Sequence, residues 1–520
     1  MKTASPVPGE PPFPGNHVVD PATSPRSRSI GSSVGSPVGV VVICALLTVL
    51  AIVAAGLTNQ AAADSSGARL AWTVNLTVVV LLSTSSWGDV LRGITLNEPP
   101  RRAGSAILAP VAMFTVTLPS ASLVWNSRIA KVEQLTGLQM ATPQALLIAL
   151  NIFTLCLIAF WAGEGVLKPI SKLRVLPELL GNSRTKWQAP QGILMAVGMT
   201  VALVALGGDK ASELSERGTQ TGQGLLVLAW WCLPLGIAIG VLHRHWGSRW
   251  RIGLSCTGLL LLLSSGVRSP LILVALAFVP DLARRLAHSR RPGIIALGGA
   301  AAGYLLISVA AALSLWRGLI RNGTPIPFFD ALFVYLPDPA RALTTSGIDT
   351  VDGLLFIQHL PANAVNANLL DLLKVFSTAI PSQFYADKPE FISNMLSREY
   401  LGFGAAGMFL SGPGYLMLIG GGVAAAAALF AFGGLVFRHL ASTRFGGVTW
   451  LIAAYTLVRF FMGGDAFDFY QGLTLVAISI ASIVAARSLA VFTGRRQRNT
   501  KGASPQVLEL AIAGKKRSSK

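Results

Sequence analysis

Residues Gly224–Leu242 read GLLVLAWWCLPLGIAIGVL, without a charged residue from end to end. About twenty such residues, rising ~1.5 Å each as a helix, cover the ~30 Å hydrocarbon layer of a bilayer. The flanks are unequal. After the run come Arg244, Arg249 and Arg251; before it, Lys210 and Arg217 are offset by Asp209, Glu213 and Glu216. Cytoplasmic loops hold the excess of Lys and Arg, so this run is expected to enter from outside and end in the cytoplasm.

Working outward, similar runs fall near Val38–Leu57, Leu70–Trp87, Ala106–Trp125, Ala145–Ala162 and Gly192–Leu206 on the N-terminal side. On the C-terminal side they fall near Ile252–Ser264, Leu271–Pro280, Ile294–Leu315, Tyr415–Val436, Val448–Phe461 and Leu473–Ala490. The expected fold is all-α, a polytopic bundle of about twelve transmembrane helices. The pair Ile252–Ser264 and Leu271–Pro280 is short, so its hairpin is expected to stop inside the bilayer.

Charge alternates along the chain. Arg92/Arg101/Arg102, Lys168/Lys172/Arg174/Arg184/Lys186, Arg244/Arg249/Arg251, Arg284/Arg285/Arg290/Arg291 and Arg438/Arg444 occupy every second loop. With Arg495, Arg496, Arg498, Lys515, Lys516 and Arg517 near the C-terminus, they put both termini in the cytoplasm. The other loops are sparse in cations, and one carries Asp465 and Asp468.

Three regions are expected: a disordered cytoplasmic tail over 1–36, a transmembrane domain over 37–492, and a basic cytoplasmic tail over 493–520. The first holds Pro6, Pro8, Pro11, Pro12 and Pro14 and too few apolar residues to offset chain entropy. Its length argues for an uncleaved anchor at Val38–Leu57 despite the Ala61/Ala63 spacing. One connection is long: 316–413, on the outer side between helices 9 and 10. Its apolar stretches Leu332–Leu336 and Leu369–Phe376, broken by Pro337, Pro339, Pro361 and Pro381, predict short amphipathic helices on the membrane surface.

The chain is 52% hydrophobic and 12% charged, against about a quarter charged in soluble domains. A formal charge of +19 would suggest nucleic acid in a soluble protein. Here the cations lie in loops between apolar runs, where orientation accounts for them and no nucleic-acid partner is expected. Cys44, Cys156, Cys232 and Cys256 all lie inside apolar runs, as small core residues do. No GxxxxGK[ST] loop occurs, which argues against a P-loop ATPase. No outward cluster of metal ligands is evident, so neither metal nor cofactor is expected.

Few residues remain to carry chemistry on the outer side. His359 is the one histidine expected there, either a surface residue or a general base. Arg268, at the apex of the short hairpin, and Arg459, near the outer end of its helix, stand apart from the basic loops. An arginine at the centre of a membrane helix costs ~2.5–3.5 kcal/mol, which makes each a functional candidate. The alternative is a structural ion pair, such as Arg459 with Asp465. Arg317, Arg321, Arg341, Lys388 and Arg398 lie in the long connection, with Asp387, Glu390 and Glu399 among them. Clustered guanidiniums suit phosphate or pyrophosphate, because the planar fork donates in pairs.

Three local features resemble the O-antigen polymerase family, the bacterial oligosaccharide repeat-unit polymerases. They are Gly266-Val267-Arg268-Ser269-Pro270 between short apolar segments; Ile380-Pro381 and Lys388-Pro389 leading through Gly402 and Gly404 to Gly412; and Arg459 followed by Gly464-Asp465. Ser382 follows Pro381 where an arginine is often seen in that family. The resemblance covers Ile252–Ala490 in order and topology. It implies transfer of a growing glycan from a polyprenyl-pyrophosphate carrier to the sugar hydroxyl of an incoming lipid-linked repeat unit, at the outer face of the cytoplasmic membrane.

On that reading Arg268, Arg459, Arg321, Lys388 and Arg398 bind pyrophosphate, and His359, Glu390 or Glu399 removes the proton. The bilayer, the lipid-linked oligosaccharide, a flippase and a chain-length regulator are the implied partners. A ligase of the O-antigen type would use the same donor. A transporter of about twelve helices is a different class; Gly88-Asp89 to Arg101-Arg102 faintly resembles the loop signature of major facilitator transporters. A scaffold without catalysis is the third.

Overall fold

The computed structural model describes residues 65–125, 142–166, 184–206, 224–244, 249–264, 269–289, 291–321, 326–337, 350–361, 364, 367–373, 390–401, 410–441 and 445–502. The expected anchor Val38–Leu57, the tail over 1–36 and most of the tail over 493–520 lie outside them.

Every regular element among the described residues is helical. In chain order, α1 is Ser65–Leu96, and α2 (Ser105–Ala112) passes through a π-turn, Met113–Thr117, into α3 (Leu118–Trp125). Next come α4 (Pro143–Val166), α5 (Arg184–Leu206), α6 (Gly224–Leu242), α7 (Arg249–Ser264), α8 (Ser269–His288) and α9 (Pro292–Arg321). The long connection holds α10 (Phe328–Tyr335), α11 (350–359), a 3-10 turn at Leu369–Leu373 and α12 (Ile392–Leu401). The chain closes with α13 (Gly412–Gly420), α14 (Val423–Ala441), α15 (Val448–Gly463) and α16 (Ala466–Gly502). Local chemistry sets several boundaries. Thr142 Oγ1 accepts from the Ala145 amide at 3.1 Å, capping α4 just before Pro143.

Among the described residues, six helices are long and apolar enough to cross a membrane: Arg69–Leu96, Pro143–Gly165, Lys186–Val204, Pro292–Leu313, Val423–Leu440 and Asp468–Phe492. Ser105–Ala121, Ala229–Leu242, Ile252–Leu263 and Val448–Gly463 are shorter apolar helices. The expected single span Tyr415–Val436 is instead two helices. Gly421 and Gly422, at φ 79° and 141°, divide α13 from α14 in a backbone conformation that side chains disfavour.

One large core joins α1 to α9 with α11 to α16, and Trp187, Tyr415, Trp450, Tyr455 and Phe461 are fully buried in it. At the α4–α14 crossing, Gly163 lies against the Ala431 carbonyl and Gly434 against that of Phe160, where no Cβ fits. Outside the core, Leu297, Phe492 and Leu203 are well exposed. An apolar exterior on apolar helices is the surface of a protein that dissolves in lipid.

In the long connection, the expected helical stretches fall in α10, which takes in Leu332–Tyr335, and in the 3-10 turn Leu369–Leu373, while α11 and α12 are helices that the sequence alone does not single out. Val351, Leu354, Leu355, Ile392 and Leu396 are buried in the main core, so α11 and α12 pack into the bundle instead of lying on a membrane surface. The 3-10 turn is closer to the expectation, with Leu369, Leu370 and Leu373 exposed.

The bundle has two distinct ends. At one, Arg102 stacks over Trp161 at 3.7 Å and Arg438 Nη1 donates to the Glu164 carbonyl at 2.8 Å. At the other, the Ser411 amide donates to the Gly463 carbonyl at 3.2 Å.

Candidate functional site

The second end gathers the polar groups around α15. Arg459 lies one turn before the end of that helix, which closes on Gly464 in the left-handed region at φ 66°. The Gly464 amide returns to the Phe460 carbonyl at 2.8 Å, and α16 starts within two residues. This tight turn brings Asp468, in the first turn of α16, to Arg459: Nη2 to Oδ1 is 3.0 Å, with side-chain exposures of 15% and 3%.

The pair is structural in part, and the partner is Asp468, not Asp465 as the sequence suggested. A buried arginine without a carboxylate would leave an uncompensated charge, which costs more than the pair itself gains. The guanidinium is not used up, however. Its Nε is buried with no hydrogen-bond partner.

Asp465 has a different contact. Its carboxylate accepts a hydrogen bond from Ser393 Oγ, at the start of α12, and both residues are buried. The long connection is thus fastened to the α15–α16 turn. A second fastening follows at Ser411, a non-glycine residue at φ 62° whose Oγ accepts from the Gly414 amide at 3.3 Å. Gly464 packs directly on the Ser411 backbone, with no room for a Cβ. A left-handed serine in a buried crossing is a conformation that the surroundings must enforce.

One turn below Arg459, the Tyr455 hydroxyl donates to Gln471 Oε1 at 2.9 Å and also bonds the Ser269 side chain. Ser269 is the first residue of α8. Tyr455 lies about 12 Å from Gly463 along α15 at ~1.5 Å per residue, so α8 begins beside α15 about two helical turns from the α15–α16 turn.

The other sequence candidates are placed as follows. Arg268 and Lys388 lie outside the described residues. Arg321 is the last residue of α9, and its side chain also lies outside the described set. Arg398 pairs with Glu390 at 2.7 Å and approaches Glu399 at 3.8 Å; all three are exposed. His359 is exposed at the end of α11, with Nδ1 at 2.9 Å from the Leu355 carbonyl of its own helix. None of these four described groups is seen to bond the Arg459 pair.

Sequence reasoning missed Ser393, Tyr455 and Gln471, which carry no individual signal. It also missed Glu164, at the opposite end. That carboxylate is fully buried and accepts from the amides of Gly104 and Ser105, each at 2.8 Å, and from Ser105 Oγ at 2.5 Å. It occupies the N-terminus of α2, where the free amides and the helix dipole favour an anion. A lone acid inside an apolar run was the available sign.

The fold and the site together define an all-helical membrane protein with a buried arginine–carboxylate pair near one end of the bundle. Comparison with known proteins gives no matching family model, no matching curated protein and no matching solved structure.

Proposed function

We propose that the chain is a membrane glycosyltransferase that polymerises polyprenyl-pyrophosphate-linked oligosaccharide repeat units on the outer face of the cytoplasmic membrane. The observation that carries this reading is the buried Arg459, paired with Asp468 at 3.0 Å and with an Nε that has no hydrogen-bond partner. Arg268, outside the described residues, directly precedes Ser269 in the sequence. Ser269 bonds Tyr455, and Arg459 is one helical turn beyond Tyr455; on that ground the two arginines are proposed to share one site.

In this reading the two guanidiniums hold the pyrophosphate of the donor. Asp468 fixes one face of Arg459 while its remaining N–H groups serve the ligand. The bond between the sugar's anomeric carbon and the pyrophosphate breaks as the acceptor hydroxyl oxygen bonds that carbon. Negative charge grows on the leaving pyrophosphate, where fixed cations strengthen their contact in the transition state. The acceptor proton must pass to a base within hydrogen-bond reach. Asp465, beside the arginine pair, is better placed for this than Glu390 and Glu399, which Arg398 engages on the exposed surface. Among the described residues no group of three metal-ligating side chains occurs, and the scheme needs no metal.

The twelve-span topology, with both termini cytoplasmic and 316–413 outside, belongs to the same proposal. It is supported by Arg101, Arg102 and Arg438 gathering at the end opposite Asp465. A lipid or glycan transporter is the second reading. It is favoured by Asp89, whose Oδ2 accepts from the amides of Arg101 and Arg102 at 2.7 and 3.0 Å.

The deciding experiment is the glycan phenotype of a deletion strain. Single lipid-linked repeats accumulating on the outer face are expected. Long lipid-linked polymer would instead mean a ligase, and repeats trapped on the cytoplasmic face would mean a transporter.

A further inference from the structure

Helix α10 follows the end of α9 and runs back along it. Trp316 Nε1 donates to the Ile326 carbonyl at 3.0 Å, and its ring meets Phe328 edge-on with centroids 6.0 Å apart. Further along, Ala311 and Ala312 pack with Ala331 and Tyr335. Last, the Tyr304 hydroxyl donates to the Leu336 carbonyl at 2.6 Å and lies 3.3 Å from that of Tyr335. The order of these contacts makes the two helices antiparallel.

That register fixes depth. The apolar window of α9 runs Pro292–Leu313. At ~1.5 Å per residue, Tyr304 lies about 13 Å below Leu313, nearly half of the ~30 Å hydrocarbon layer. We infer that Phe328–Tyr335 is a re-entrant helix, dipping into the leaflet where α9 ends and presenting Phe329 and Phe333 to lipid acyl chains.

Three features fit that occupant. Phe329 and Phe333, one turn apart, are 66% and 64% exposed, and Leu297 and Leu305 of α9 are exposed as well. The one charge of the helix, Asp330, is in its first turn, at the level of Trp316, where an aromatic belt marks the interface. The last carbonyls of a helix have no partner within it, and in hydrocarbon such groups need one. The Tyr304 hydroxyl supplies it. On a wet surface, water would do so.

The inference goes beyond the proposed chemistry and rests only on α9 being a membrane span. It is tested in the full-length chain in liposomes, with Cys44, Cys156, Cys232 and Cys256 replaced by alanine. Single cysteines at Leu297, Asp330 and Phe333 carry a small fluorophore, read against aqueous iodide and against phospholipid spin-labelled midway along its acyl chain. Leu297→Cys and Phe333→Cys are expected to be quenched several-fold more by the lipid label than by iodide, and Asp330→Cys the reverse. If Leu297→Cys prefers the lipid label while Phe333→Cys prefers iodide, the helix lies on the surface and the inference is wrong. Iodide preference at both positions would remove α9 from the membrane, and the re-entrant helix with it.

Discussion

Arg459 and Asp468 face each other across the Gly463–Gly464 turn, Nη2 to Oδ1 at 3.0 Å, on two helices that would otherwise each bury an unpaired charge. The pair neutralises both and leaves the guanidinium Nε for another acceptor.

Removing one partner exposes the asymmetry of a buried pair. Asp468→Leu should cost about 3–5 kcal/mol, because Arg459 stays charged and unpaired. The double variant Arg459→Leu/Asp468→Leu should recover most of that stability and none of the polymer. Thermal melting in detergent and polymer yield in a complemented strain read the two outcomes; full polymer from the double variant would discard Arg459 from the site.

Lysine keeps the charge and loses the fork. Arg268→Lys and Arg459→Lys should each reduce polymer strongly at near-normal protein levels, seen by immunoblot and glycan gel. Two fully active lysine variants would falsify the shared pyrophosphate site.

Arg398→Ala should change little. Its pairs with Glu390 and Glu399 are exposed, and such pairs are worth about 0–1 kcal/mol. Unchanged melting and unchanged polymer are the expected results, and lost polymer would restore Arg398 to the donor site.

Asp465→Asn should abolish polymer while His359→Ala preserves it. The reverse outcome, measured on the same gels, would return the base to His359.

Orientation is checked from outside the cell. Ser346→Cys should react with an impermeant thiol reagent in intact cells and Ser183→Cys should not. The opposite labelling would invert the proposed topology.

Most of the bundle was legible because long apolar runs have one solution in lipid, a helix with its backbone bonds satisfied internally. Gly224–Leu242 is a helix over its whole length. The break at Gly421–Gly422 was not legible, since glycine is common in membrane helices that do not bend. In the long connection the helical stretches near Leu332 and Leu369 were legible, but α11 and α12 were not, because their apolar residues are too few to stand out until the core packs around them. Arg459 was legible as a costly residue, but its partner was not. Asp465 and Asp468 are equivalent as letters, and the left-handed turn at Gly464 decides which one turns toward the guanidinium.

The same turn has a consequence for biogenesis. Arg459 and Asp468 emerge from the ribosome only moments apart, so α15 need not enter the bilayer with a naked cation. If the two helices are released sideways together as a hairpin, the cost of bringing the arginine into lipid is met by a carboxylate already in place. A chain cut between them would leave the arginine of the penultimate helix without its carboxylate.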